Sequence, residues 1–256
     1  MARFFKILII SALFVCLCAA CGEAEPVVEN APDYSVRAEF NLAVVSGDFA
    51  KVKAMAEDNP ELLNVPLAVN ETEYAKGKRD ETPLVAAVGN REMLRLLIDL
   101  GADVNGATPF SGHYPLTVAL AEGSRETRLE TAWYLIERGA DVSVEDKTYG
   151  SYLCALLRVP SSKAFNEQNI AELLVRYAWE NGIDFEVSGS GNGEYTSLLG
   201  LAVKNGYSMA VDFMIYHACV DVTEPVTASG KTALELAEEC GLNLIASILI
   251  SAGASD

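Results

Sequence analysis

The chain has 256 residues, of which 50% are hydrophobic, and 36 acidic residues stand against 19 basic ones for a net charge of −17. That apolar content excludes disorder for most of the length and is enough for one good-sized core or one elongated repeat domain. The acidic excess excludes nucleic acid as a partner, because phosphate binding relies on Lys and Arg neutralising the backbone.

At the N-terminus, Arg3 and Lys6 form a positive start, and Ile7 to Ala20 is an uncharged apolar run. Such a run spans about 21 Å as a helix, short of a hydrocarbon core of about 30 Å. A cleaved signal peptide over residues 1–20 is therefore expected. Leu17-Cys18-Ala19-Ala20-Cys21-Gly22 resembles the lipobox of bacterial lipoproteins. The resemblance implies cleavage before Cys21 and acylation of that residue. Cys18 stands where the lipobox leucine normally lies, with Leu17 one place early. The alternative is ordinary cleavage after Ala20 or Ala24, giving a soluble secreted protein. Removing residues 1–20 takes two basic residues and no acidic one, so the mature charge is −19. Residues 21–36, with Pro26 and Pro32, read as a lipidated start and tether of at most about 55 Å.

A repeating pattern follows. Its clearest copy is Thr82-Pro83-Leu84-Val85-Ala86-Ala87, then Glu92-Met93-Leu94-Arg95-Leu96-Leu97-Ile98-Asp99-Leu100-Gly101-Ala102-Asp103-Val104-Asn105. This resembles the ankyrin repeat, a helix-turn-helix unit followed by a finger-like loop. Further copies open at Phe40-Asn41-Leu42-Ala43, Tyr114-Pro115-Leu116-Thr117, Ser151-Tyr152-Leu153-Cys154, Ser197-Leu198-Leu199-Gly200 and Thr232-Ala233-Leu234-Glu235. The expected fold is an all-α ankyrin-repeat solenoid over residues 37–256. Its six repeats lie near 38–64, 80–105, 112–144, 150–187, 195–223 and 230–256.

The physical reasons are local. Thr or Ser caps the first helix, Pro at its first position forgoes no hydrogen bond, and the Leu/Ile/Val stripe of the second helix buries against neighbouring repeats. Glycine, or Ala218 in the fifth copy, marks where the second helix stops. The closing positions lie 35 to 43 residues apart, against a family period of about 33. The excess maps to inserts at 66–78, 124–128, 160–168 and 188–193, where a scaffold can present partner-specific loops. The family's histidine is replaced by Asn41, Val85, Thr117, Cys154, Gly200 and Glu235, so slightly irregular stacking is expected.

Residues able to carry chemistry are few. His113 falls in a finger and His217 at the end of a second helix, which argues against a shared metal site or catalytic dyad. Apart from Cys21, the mature chain keeps Cys154, Cys219 and Cys240. An odd number excludes a full disulfide framework, and all three read as small buried apolar residues. The glycine-rich 188–193 lacks the Gly-Lys-Ser/Thr of a phosphate loop. Glu235/Glu238/Glu239 and Asp99/Asp103 lack calcium-loop spacing. Asn70-Glu71-Thr72 matches a glycosylation sequon by chance. No catalytic, metal-binding or cofactor-binding residue is expected.

Tyr74, Phe110, Tyr114, Tyr149, Tyr152 and Tyr195 fall in or beside the fingers and first-helix starts. They are candidate partner-binding anchors, since aromatics bury much area at interfaces. The resemblance implies a monomeric protein-binding scaffold, lipid-anchored in a bacterial cell envelope and holding another, possibly basic, protein. Two alternatives remain: an inhibitor or immunity-type protein that neutralises a basic toxin or hydrolase, and a thiol-based redox factor or enzyme using Cys154.

Overall fold

The structure is a computed structural model that describes residues 31–123, 127–162, 164–183, 185 and 194–255. The signal peptide, Cys21, the first part of the tether, residues 124–126 of one insert and the glycine-rich 188–193 lie outside the described residues.

Helices come in pairs: α1 (Tyr34–Ser46) with α2 (Phe49–Asp58), α4 (Pro83–Ala86) with α5 (Arg91–Leu100), and α6 (Pro115–Glu122) with α7 (Arg128–Glu137). They continue as α8 (Tyr152–Arg158) with α9 (Phe165–Glu180), α10 (Leu198–Lys204) with α11 (Ser208–Tyr216), and α12 (Ala233–Glu239) with α13 (Asn243–Ser251). A 3₁₀ turn (Pro60–Leu63) and a short helix α3 (Glu71–Ala75) lie between the first two pairs. The first helices form one row, α1 on α4, then α6, α8, α10 and α12. The second helices form another, with α2 on α5, and α7, α9, α11 and α13 in succession. One contiguous core runs from Phe40 to Ala254. The fold is an all-α repeat solenoid, as the pattern led one to expect.

The starts are capped as the residue types require. The side chains of Thr82, Ser151, Ser197 and Thr232 accept from Val85, Cys154, Gly200 and Glu235 N–H respectively. Glu235 completes a reciprocal box by accepting from the Thr232 N–H at 2.8 Å. Fingers are tied to one another by asparagines: the Asp103 N–H donates to Asn64 Oδ1 and the Asp141 N–H to Asn105 Oδ1, both at 2.7 Å. In the finger before α8, β1 (Glu145–Asp146) pairs antiparallel with β2 (Gly150–Ser151).

Three expectations need correction. The tether does not extend to residue 36, because Asp33 Oδ1 accepts the Ser35 N–H at 2.8 Å and starts α1 at Tyr34. The insert 66–78 is not a free loop. It contains α3, buries Ala68 and Val69, and is gripped by the buried Arg37, which donates to the carbonyls of Pro66 and Leu67 and to the Glu73 carboxylate. Insert 160–168 is likewise held down: the buried Gln168 donates through Nε2 to Ser161 Oγ at 2.7 Å and to the Gly206 carbonyl at 2.9 Å. An insert against a stack must satisfy its backbone polar groups: in 66–78 the buried Arg37 does so, and in 160–168 the Ser161 N–H donates to the Asn205 carbonyl at 2.9 Å.

The third correction concerns the cysteines. Cys154 is buried, Cys240 half-buried and Cys219 exposed. Cys219 also takes a left-handed φ of 56°, one residue beyond Ala218, where the pattern placed the turn. Elsewhere Gly101 and Gly139 supply that conformation, at φ 107° and 93°, without the steric cost a Cβ brings.

The positions that replace the family histidine differ in fate. Thr117 is buried and donates to Asp146 Oδ2 at 2.7 Å. Gly200 is required by close packing, since a Cβ there would lie 2.7 Å from the Val226 carbonyl. Asn41 is 6% exposed, and neither polar atom of its amide finds a partner among the described residues.

Candidate protein-binding surface

The row of first helices carries an open groove of about 270 Å³ between α1, α4 and α6. Val85, Ala86, Val88 and Val118 form its apolar floor, Val45 stands exposed at one side, and Arg79, Glu81 and Glu122 supply charge at the edges. The small residues Ala86 and Gly89 keep the helices low, so that a ligand can approach the backbone. Arg79 and Glu81 pair at 3.5 Å on the exposed edge.

Two fingers beside this groove are rigidly built. Buried Asp80 accepts from the N–H groups of Phe110 and Ser111 at 2.8 and 2.6 Å, fixing the next finger. Phe110 then stacks on Tyr74 with ring centroids 4.8 Å apart and planes 20° apart. One finger on, buried Asp146 accepts from His113 Nδ1, the Tyr114 N–H, the Thr117 hydroxyl and the N–H groups of Thr148 and Tyr149. Burial alone would push the Asp146 carboxyl up, yet these donors outweigh it and hold the group below the usual aspartate value.

Tyr149 lies 5.2 Å from the His113 ring and donates its hydroxyl to Glu122 at the groove edge. Burial, then the Glu122 carboxylate, push that hydroxyl far up, so it stays a donor. Tyr195 is half-buried beside Thr227, and burial with Glu194 pushes its hydroxyl up to about 12.

The candidate anchors thus divide. Exposed Tyr74 and half-buried Phe110 form one pair, Tyr149 reaches the groove edge through Glu122, and half-buried Tyr114 precedes α6. Tyr195 lies apart, just before α10, bridged to Thr227 of the next finger. Tyr152 cannot touch a partner: its side chain is 0% exposed and its hydroxyl donates to the Leu174 carbonyl at 2.7 Å. At that place the chain leaves β2 and enters α8, turning the ring into the core.

Sequence reasoning missed Arg37, Asp80 and Asp146, which hold the fingers in place. The two aspartates stand a few residues ahead of the helix starts Thr82 and Ser151, each beside a glutamate, Glu81 or Glu145.

His113 is held by Asp146, while His217 stacks on Phe213 at 4.9 Å in another part of the stack. Among the described residues no group of three His, Cys, Asp or Glu side chains could hold a metal ion. No described helix is long and apolar enough to cross a membrane. The buried Cys154 thiol is closed to any dissolved reactant.

A two-row stack of helix pairs with an open groove and ordered fingers defines a repeat solenoid of the protein-interaction class, which is typically non-enzymatic. The family model described as ankyrin repeats, in three copies, matches residues 40–146. The match runs from within α1 to the end of β1, the stretch that carries the groove, and α8 to α13 continue its two rows. A comparison with curated proteins finds no match.

Proposed function

We propose that the protein is a binding scaffold, anchored in a bacterial cell envelope through an acylated Cys21, that holds a protein partner in the groove between α1, α4 and α6. The observation that carries this reading is the apolar floor left open between helices whose flanking fingers are fixed by Asp80 and Asp146. Ordered side chains around an apolar depression lose little entropy on binding, which is what makes a surface adhesive. The Tyr74–Phe110 pair and Tyr149 serve as anchors beside it.

The 36 acidic residues favour a basic partner, steered by the field of the whole surface. A narrower version of the reading follows from this charge: the scaffold neutralises a basic toxin or hydrolase that acts on the envelope.

The test is a crosslinking pull-down from envelope extract with the wild type and a Tyr74→Ala/Phe110→Ala variant. Recovery of one partner by the wild type and its loss in the variant is expected, and equal recovery by both removes the anchors from the account. Anchoring is read separately. Radiolabelled palmitate should enter the wild type and not Cys21→Ala, and a wild type without label makes the protein a secreted one.

A further inference from the structure

The row of second helices carries a different depression. Between α9, α11 and α13 lies a trough of about 430 Å³, with a floor of Met209, Phe213, Leu244 and Ile248. A second hollow of about 250 Å³ continues it, sharing Ser208 and Leu244 and reaching Gly241 to Ile245. Leu244 is 66% exposed although it lines both. Trp179, also exposed, meets the floor edge-on through Phe213, with centroids 6.0 Å apart and planes at 79°. Large apolar side chains left open side by side around a concave strip mark an interaction site more often than scattered ones do.

The rim is anionic. Arg176 is committed within the trough: it donates to Glu172 at 2.5 Å and lies 5.1 Å over the Phe213 ring. Asp212 is exposed beside it and forms no salt bridge among the described residues, whereas Glu180 acts on Arg176. His217 is stacked on Phe213. The trough therefore combines an apolar floor with one carboxylate, Asp212, that has no ion-pair partner among the described residues.

We infer that this trough is a second docking site, separate from the groove between α1, α4 and α6, and that it takes a basic amphipathic helix of a partner protein. A long open strip between neighbouring helices suits a helix laid along the seam, with bulky side chains one turn apart pressed onto Met209 and Leu244. A Lys or Arg on the same peptide then meets Asp212. The inference does not depend on the groove reading, since it uses other helices and other residues.

The probe is a synthetic peptide of about eighteen residues, Leu on one helical face and Lys on the other. Emission of Trp179 is followed in the full chain carrying Trp133→Phe. Saturable binding with a blue shift is expected, weakened about tenfold or more by Leu244→Glu and by Asp212→Lys, as for hot-spot substitutions. Both positions are exposed, so circular dichroism should show the fold intact. A peptide with Glu in place of Lys should not bind. Absence of saturable binding overturns the inference, and so does equal affinity for Leu244→Glu, which would mean adsorption to the overall negative charge. Loss of binding in Val45→Asp with Leu244→Glu unaffected assigns the peptide to the other groove and overturns it as well.

Discussion

Arg128 donates through Nη2 to Glu167 Oε1 at 3.0 Å, with 1% and 9% of the two side chains exposed. The same nitrogen donates to the Tyr207 hydroxyl at 2.5 Å, and that hydroxyl reaches the Val159 carbonyl at 2.7 Å. One guanidinium at the start of α7 thus ties the third, fourth and fifth helix pairs together. Removing one partner of a buried pair strands the other's charge, at a cost of about 3–5 kcal/mol. Arg128→Ala should lose about that much stability in urea unfolding followed by circular dichroism. A loss below about 1 kcal/mol would mean the ion pair is exposed to solvent.

The acid limb of stability follows from the same kind of group. Burial would raise Glu167, but the Ser162 hydroxyl and N–H, followed by Arg128, outweigh it and hold the carboxyl below its ordinary 4.5. Glu73 is lowered against its burial by Arg37 and the Val69 N–H, and Asp146 is held below 3.8. A carboxyl depressed in the folded state binds its proton more readily when unfolded. Its contribution is therefore complete above the unfolded value and lost as pH falls through the folded one. Stability should hold steady from neutrality to the ordinary carboxylate range and then fall progressively below it. Urea midpoints measured across that range would contradict this if they rose on acidification.

Asn41 is the buried position with the least to lose. Both amide atoms lack a partner among the described residues, and an unpaired buried polar group costs about 1–3 kcal/mol. Asn41→Leu, near in volume, should raise the thermal midpoint by removing that cost. An unchanged or lowered midpoint would show that the amide has a partner in solution.

Cys219 combines exposure with a left-handed backbone. Its thiol should react with a disulfide reagent in the native protein, while Cys154 reacts only on unfolding. Cys219→Gly should stabilise by about 0.5–1 kcal/mol, because glycine adopts that φ without strain. Equal reaction rates of the two thiols would contradict the placement of both.

The sequence and the structure agree where local chemistry decides the outcome. Thr82-Pro83, Ser151, Ser197 and Thr232 announce helix starts because each residue type satisfies an orphan N–H. The helix pairs, their order and the fingers were legible for that reason. What pairs with what across thirty or more residues was not. Nothing beside Arg37 in the sequence points to Pro66, Leu67 or Glu73, and nothing near Tyr152 shows that α8 turns its ring inward. Those outcomes depend on which backbone carbonyls the stack leaves unpaired, a property of the assembled rows and not of any segment. Cys219 shows the same limit at short range, since one extra residue after α11 moved the left-handed turn past Ala218.

The central claim is that a protein partner sits in the groove between α1, α4 and α6. It is tested most directly by placing a photoreactive amino acid at Val45, on that groove, and at Glu57, exposed on α2 in the other row, then irradiating cells and resolving the products by mass. The account predicts one discrete heavier product from position 45 and none from position 57. Products from position 57 alone, or none from either, would contradict it.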